Sequence, residues 1–314
     1  KARILIYQQR RDWASVVRRV QALPDNSPFI FTHWALTQGA AAQLELGQGA
    51  AARAWLLRLI WQHANVDGQL FSEWRRMVIH SYIVEGRVDD AYTALLRYQQ
   101  DYVNANADAQ TRLLQAHVLL LAERATEAVM LLAGTHEPTA AALSLLARLR
   151  SGDRPENILR ETRQVLARQP LTASQGLVAM AQAEAAQMIG DHERHVEAVE
   201  YILALYGGVT PPAFAGLFNI TDDSVWDAYV AYAQVLSNQQ QLLMGDFAPW
   251  FALAQSLVEE HPIRARALFA FLAMRADTVE ARVRAHQQLI TLLSQLPQGA
   301  ALMRALYMKL DRFH

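Results

Sequence analysis

A helix-breaking residue recurs at similar intervals along this sequence, and this repetition constrains the fold more than any other feature. Gly47 and Gly86 are 39 residues apart, and Gly152 and Gly190 are 38 apart. On both sides of each glycine, apolar residues recur every three or four positions, as in an amphipathic helix. Glycine adopts the left-handed conformation that ends a helix without steric cost. The pattern therefore predicts a series of helical hairpins.

The predicted hairpins cover most of the first two thirds of the chain. Around Gly86, Val78 and Tyr82 precede the turn, and Asp89 and Asp90 begin the next helix, where acidic residues complement the helix dipole. Other predicted helix pairs are 34–46 with 50–62, 110–122 with 126–132, 140–150 with 156–168, and 177–189 with 192–206. No alternating β-branched run reaches strand length. Because a hairpin cannot bury its apolar face alone, we expect an all-α, superhelical α-solenoid of antiparallel helix hairpins.

Small residues in these hairpins match the tetratricopeptide repeat (TPR), which has a small residue at position 8, tyrosine at 11, glycine at 15 and alanine at 20. Tyr82, Gly86 and Ala91 match positions 11, 15 and 20 of one unit. Further matches are Ala40, Gly47 and Ala52 before it, and Ala116, Ala128, Ala183 and Gly190 after it. The chain thus resembles a divergent TPR protein over about residues 30–205. Gln43, Ile79 and His195 depart from the pattern.

The resemblance implies a partner-binding surface. In TPR proteins the first helix of each hairpin lines a concave face, to which positions 2, 5, 9, 12 and 13 contribute. Matched onto this chain, the expected partner-binding residues are Trp34, Thr37, Glu45, Glu73, Arg76, His80, Gln110 and His117. His80 and His117 fall at the same repeat position in adjacent units. We expect a groove of mixed character that binds a peptide or helix of another protein; the alternative is that both histidines are ordinary half-buried helix residues.

The tryptophans suggest two different roles. Trp55 and Trp61 lie on a predicted second helix beside Leu56 and Leu59, so we expect both in the core. Trp34 and Trp74 lie near the starts of first helices, where a tryptophan could anchor a partner. Aromatic residues at helical spacing are more often part of the core, so we expect at most one of these tryptophans to be exposed.

The character of the sequence changes after Tyr206. Glycine and proline accumulate at Gly207, Gly208, Pro211, Pro212 and Gly216, which disfavours helix. We therefore predict TPR-like repeats in 1–206, a Gly/Pro-rich break in 207–221, and further helical hairpins or a C-terminal helical bundle in 222–314. Thr221 or Asp222 is expected to cap the first of these helices.

Charge and hydropathy exclude some partners. The chain has 29 Lys and Arg against 30 Asp and Glu, a net charge of −1, which argues against nucleic-acid binding. One basic cluster near the start indicates a solvated helix face or, alternatively, contact with an anionic lipid or polymer; it comprises Lys1, Arg3, Arg10, Arg11, Arg18 and Arg19. No apolar run approaches the roughly 18–20 residues of a membrane span.

The search for catalytic motifs favours a non-enzymatic protein. The sequence has no phosphate-binding glycine loop, no Gly-x-Ser-x-Gly motif and no cysteine nucleophile. His192 and His195 are one residue closer than in the His-Glu-x-x-His zinc motif, and we favour a solvated helix start over a metal site. We therefore expect no catalytic residue, metal or cofactor.

Composition also suggests a location. The absence of cysteine suits an oxidising compartment such as the periplasm, with the cytoplasm as the alternative. Lysine occurs only at positions 1 and 309, which is typical of GC-rich bacterial coding. A chain that starts at Lys1 is compatible with a leader or anchor upstream.

Three functions fit these observations. The first is a protein–protein interaction scaffold in bacterial envelope assembly. The second is the helical, non-catalytic region of a peptidoglycan hydrolase of the lytic transglycosylase kind. The third is a cytosolic regulatory repeat domain.

Overall fold

The computed structural model describes residues 1–24, 27–62, 68–102, 108–167, 173–207, 210–218, 220–296 and 299–310. This part of the chain is all-α, as predicted, and contains no strand. Its helices are α1 (Ala2–Gln9), α2 (Trp13–Gln21), α3 (Phe29–Glu45), α4 (Gly49–Gln62), α5 (Gly68–Val84), α6 (Val88–Asp101), α7 (Ala109–Leu121), α8 (Ala125–Leu132), α9 (Pro138–Arg150), α10 (Pro155–Leu166), α11 (Ala173–Ile189), α12 (His192–Tyr206), α13 (Asp222–Gln239), α14 (Ala248–Ser256), α15 (Pro262–Arg275), α16 (Val279–Ser294) and α17 (Gly299–Leu310). None of the described helices combines the length and apolar character needed to cross a bilayer.

The predicted hairpin turns are confirmed. Gly47, Gly86, Gly152 and Gly190 have φ of +73°, +70°, +102° and +73°, and each separates two consecutive helices. Glu123 replaces glycine between α7 and α8 and adopts the same left-handed conformation, with φ of +59°. The acidic first turn of α6 is also confirmed. Each turn stops one helix and lets the next one return along it.

Small residues lie where the helices approach each other. The predicted contact positions are all buried: Ala40, Ala52, Ala91, Ala116, Ala128 and Ala183. Gly39 shows how close α3 and α4 come, because a Cβ at this position would lie 2.3 Å from the Trp55 ring. Small side chains therefore set the spacing within and between hairpins.

One tryptophan prediction is wrong. Trp55, on α4, is half-buried and packs against two of the apolar clusters, as expected. Trp61, however, is 82% exposed. The buried stripe of α4 contains Leu56 and Leu59, and Trp61 follows Leu59 by two residues, or about 200° around the helix axis. This angle places Trp61 on the opposite side of α4.

The helices form two compact units by their contacts. Unit 1 comprises Lys1–Thr135 and Thr210–Phe218, and unit 2 comprises His136–Val209 and Asn219–His314. This grouping differs from the predicted segmentation into 1–206, 207–221 and 222–314, which followed sequence character and stays a prediction.

Unit 1 is built from neighbouring helices. Each helix from α1 to α7 packs on the next helix in sequence, and α6 and α7, which belong to different hairpins, share a smaller contact. In addition, α5 contacts α3 and α7. Buried apolar side chains of its first seven helices group locally: one cluster lies in α1–α3, another is shared by α3, α4 and α5, and a further one by α5, α6 and α7. Each cluster is shared between adjacent helices, as in a helical repeat array.

Unit 2 has a larger shared core. One apolar cluster joins buried side chains from α11 through α17, including Trp226, Trp250 and Phe271. Trp250 stacks on Phe271 with ring centroids 4.7 Å apart. The last helix, α17, packs on α12 and α13 rather than on α16 alone. The last helix thus returns to helices that lie much earlier in unit 2.

Two similar polar triads link helices in unit 2. Glu200 accepts hydrogen bonds from Tyr229, at 2.5 Å, and from Arg266, at 2.7 and 2.8 Å. The side chains of Arg266 and Glu200 are only 4% and 7% exposed, and burial raises the pKa of Tyr229. In the second triad, Glu193 accepts from Tyr232 and Arg264 in the same way. Its charged side chains are about one-third exposed, 37% for Arg264 and 33% for Glu193.

Candidate functional site

The two predicted histidines contact the same stretch of chain. His80 on α5 donates from Nε2 to the carbonyl of Pro212, at 2.9 Å. His117 on α7 donates from Nε2 to the carbonyl of Ala215, at 2.8 Å. A carbonyl oxygen can only accept, so each imidazole must carry a proton on Nε2. Two side chains at equivalent repeat positions therefore bind the backbone of one peptide segment.

That segment is Thr210–Phe218, the part of unit 1 that comes from far along the sequence. We call it the inserted segment. It consists of a short 3-10 helix at Pro212–Phe214, which Pro211 precedes, and a turn at 215–217. The Thr210 hydroxyl donates to the Phe218 carbonyl at 3.4 Å, so the ends of the segment lie close together.

The inserted segment carries several buried apolar side chains. Phe214, Leu217 and Phe218 are all buried, and the rings of Phe214 and Phe218 stack with centroids 6.4 Å apart. Ala215 packs against the core cluster that includes Ile79 and Val118. Ala215 therefore joins the segment to the apolar cluster of α5–α7.

Gly216 lies close to Leu121 on α7. A Cβ at this position would lie 2.9 Å from Cδ2 of Leu121, and the φ of Gly216 is +75°. A side chain here would be strained by the backbone conformation and would also press on Leu121. We call the surface formed by His80, His117 and Leu121 the α5–α7 face.

The electrostatic environment of His80 favours the neutral ring. Loss of solvation lowers the pKa of His80, and it outweighs the hydrogen bond to Pro212 and the charge of Glu45, which both raise the pKa. A neutral imidazole with its proton on Nε2 can still donate to a carbonyl. The contact with the inserted segment therefore does not need a charged histidine.

Arg76 belongs to a polar link between adjacent hairpins. It pairs with Asp108 and donates to the Thr111 hydroxyl at 3.0 Å. Burial acts to raise the pKa of Asp108, but hydrogen bonds from Thr111 and the charge of Arg76 hold this pKa below its ordinary value. Asp108 also caps α7 by accepting from the Thr111 backbone. Arg76 thus positions the start of α7.

Thr37 and Trp74 join α3 to α5 inside the protein. Trp74 is fully buried, and its Nε1 donates to the Thr37 hydroxyl at 2.8 Å. The same hydroxyl donates to the His33 carbonyl at 2.9 Å. Trp74 is therefore a core residue that no partner can reach, and of the two roles considered for it the core role is the one that the structure shows.

The other predicted binding residues lie nearer the surface. Trp34 is half-buried and stacks on Phe31 with centroids 5.9 Å apart. Glu45, Glu73 and Gln110 are exposed. Of the eight predicted residues, only His80 and His117 contact the inserted segment through a described hydrogen bond. All six basic residues of the N-terminal cluster are exposed, as a solvated face requires.

Sequence reasoning missed the inserted segment itself. It treated 207–221 as a break because of the glycines and prolines. One signal was available: Phe214, Leu217 and Phe218 place three large apolar side chains within five residues. A solvated connection rarely carries such a density of apolar side chains.

Unit 2 contains a separate cavity of about 400 Å³. His192, His195 and Asp227 line it, together with small apolar residues of α11 and α13. His195 donates from Nδ1 to the Ala183 carbonyl at 3.0 Å, and His192 stacks on Tyr232. Among the described residues, no three His, Asp or Glu side chains are grouped so that they could hold a metal ion.

Comparisons of the chain with protein-family models, with curated proteins and with solved structures find no match.

Proposed function

We propose that this protein is a non-enzymatic, TPR-like interaction scaffold that binds a peptide of another protein on the α5–α7 face. One observation carries the proposal: His80 and His117 donate to two backbone carbonyls of a compact, proline-containing segment. Side chains that hydrogen-bond to a backbone can hold many sequences, while apolar contacts select among them.

The rigidity of the surface supports this proposal. His80 and His117 lie on helices whose apolar sides share one core cluster. Arg76 and Asp108 further fix α5 relative to α7. A partner therefore meets donors that are already in place, and little conformational entropy is lost on binding.

A bacterial envelope location belongs to the same proposal, in preference to the cytoplasm. The cysteine-free composition supports it, because such a chain has no thiol to oxidise. The expected partner is then another protein of envelope assembly.

A displayed peptide library tests the binding function. The bait is the full chain with 210–218 replaced by a Gly/Ser stretch of the same length, which leaves the α5–α7 face open. We expect enrichment of peptides whose affinity falls at least about tenfold when His80→Ala and His117→Ala are combined, since each substitution removes about 1 kcal/mol of hydrogen bonding.

His136→Ala is the matched control, because His136 is exposed and lies in unit 2. This control should leave the affinity unchanged. If no peptide is enriched, or if the enriched peptides bind the double histidine variant equally well, the proposal is wrong.

A further inference from the structure

The inserted segment occupies the α5–α7 face in the way that a bound peptide would. Its contacts to His80 and His117 use backbone carbonyls, which any peptide possesses. Its specific features are a proline pair, a buried phenylalanine two residues after Pro212, and Gly216 against Leu121. A separate peptide with this pattern could make the same contacts.

The segment reaches unit 1 from a distant part of the sequence. Pro212 lies 132 residues from His80, and Ala215 lies 98 residues from His117. The residues on both sides of the segment, up to 209 and from 219, belong to unit 2. No repeat hairpin of unit 1 requires these nine residues to complete its helices. The segment thus covers the α5–α7 face without being part of the helical hairpins.

We propose that the inserted segment is a built-in competitor for the α5–α7 face, and that the partner presents the same pattern: Pro-Pro, an aromatic residue two positions later, then a small residue and glycine. This inference rests on the proposed function. A partner binds only when the segment leaves, so the face is closed at rest.

Tethering makes the competition strong. A segment attached to the same chain acts at an effective concentration in the range of mM. A free peptide of equal intrinsic affinity therefore binds weakly until the segment is displaced, because its apparent affinity is reduced by the fraction of open protein. Any change that weakens the segment's contacts raises the apparent affinity for the partner.

Gly216→Val is the variant that opens the face with the fewest other changes. It adds strain at a φ of +75° and a clash with Leu121, yet it leaves His80 and His117 untouched. Gly134→Val is the matched control: Gly134 has a φ of +72°, but a Cβ there meets nothing within 4 Å. Both substitutions add similar backbone strain, and only the first also presses on the face.

The probe is a fluorescent, end-blocked peptide with the sequence TPPAFAGLF, which is that of Thr210–Phe218. We expect Gly216→Val and the Gly/Ser-replaced chain to bind it at least about tenfold more tightly than the unmodified protein or Gly134→Val, as measured by anisotropy. Adding His80→Ala and His117→Ala to the replaced chain should abolish the gain. Equal binding by the open and unmodified proteins would overturn the inference.

A second measurement needs no variant and guards against misfolding of Gly216→Val. The amides of Phe214, Ala215 and Leu217 are hydrogen-bonded within the segment. An excess of the probe peptide should speed their hydrogen exchange in the unmodified protein by displacing the segment. Unchanged exchange at saturating peptide would also overturn the inference.

The results separate this inference from the proposed function. If the replaced chain binds library peptides through the histidines but does not bind TPPAFAGLF, the competitor role is wrong and the scaffold function stands. If the replaced chain binds no peptide of either kind, both are wrong.

Discussion

The two compact units bury their apolar side chains in different ways. In unit 1 the buried side chains of α1–α7 group into separate clusters, each shared by helices that are near neighbours in sequence. In unit 2 one cluster extends from α11 to α17. A divided core allows one hairpin to open while others stay closed, whereas a shared core couples its helices into one cooperative transition.

The two units also differ in how deeply their ion pairs are buried. The described pairs that link hairpins in unit 1 are partly exposed, as in Arg53–Glu85 and Arg76–Asp108. Unit 2 contains the buried pair Arg266–Glu200. Exposed pairs contribute little to stability, while breaking a buried pair leaves a charge without a partner. We therefore expect that breaking an ion pair costs little stability in unit 1, whereas breaking the buried pair costs much more in unit 2.

The largest effect is expected from Arg266→Ala. This change leaves Glu200 buried without its charged partner, and we expect unfolding in urea, followed by far-UV circular dichroism, to show a loss of about 3–5 kcal/mol. Arg264→Ala is the matched control, because its partner Glu193 is about one-third exposed, and it should cost less than about 1 kcal/mol. Equal small losses from both variants would contradict the cooperative account of unit 2.

A smaller and more local effect is expected from Trp74→Phe in unit 1. The substitution removes the hydrogen bond to Thr37 and part of a buried ring, so we expect a loss of about 1–3 kcal/mol. Hydrogen exchange should rise in α3–α6 and stay unchanged in α11–α17. Trp61→Phe, at a site that is 82% exposed, should change stability by less than about 0.5 kcal/mol. Faster hydrogen exchange throughout unit 2 would contradict the expectation that a change in unit 1 stays local.

The smallest effect concerns pH and His80. Burial lowers the pKa of His80 below its ordinary value of 6.5, so the folded chain binds fewer protons at this site than the unfolded chain. The contribution of His80 to stability is therefore present above pH 6.5 and is lost as the pH falls through the folded-state pKa. Stability should fall more steeply from about pH 7.5 to 5.5 in the unmodified protein than in His80→Gln.

Glutamine is the informative replacement because its amide can still donate to the Pro212 carbonyl, while it does not titrate. Glu45, whose charge acts on His80 from α3, is present in both proteins. Identical pH dependence in the two proteins would show that His80 does not titrate differently on folding.

Local features of the fold could be predicted because they depend on local sequence. Gly86 ends α5 through its own conformational freedom, and Asp89 and Asp90 favour the start of α6. Buried alanines such as Ala40 and Ala91 follow from the spacing of the hairpins. These signals lie within a few residues of the structure they specify. The superhelical, TPR-like arrangement is a longer-range property and stays a proposal.

The candidate site could be predicted only in part. The repeat positions of His80 and His117 identified two donors, but not the segment that they hold 132 and 98 residues away. Trp74 shows a different limit: its place near the start of a first helix fits both an anchor and a core residue. Contact with Thr37 on α3 decides between them, and no local pattern encodes that contact.

The return of α17 onto α12 and α13 has a consequence for how such a chain can change in length. A row of hairpins lengthens by duplication, since a new hairpin needs only a neighbour on each side. Unit 1 is open to such insertions between its hairpins. In unit 2, an extra hairpin between α13 and α17 would have to leave the docking position of α17 intact. Changes in repeat number should therefore accumulate in unit 1, while unit 2 keeps a fixed number of helices.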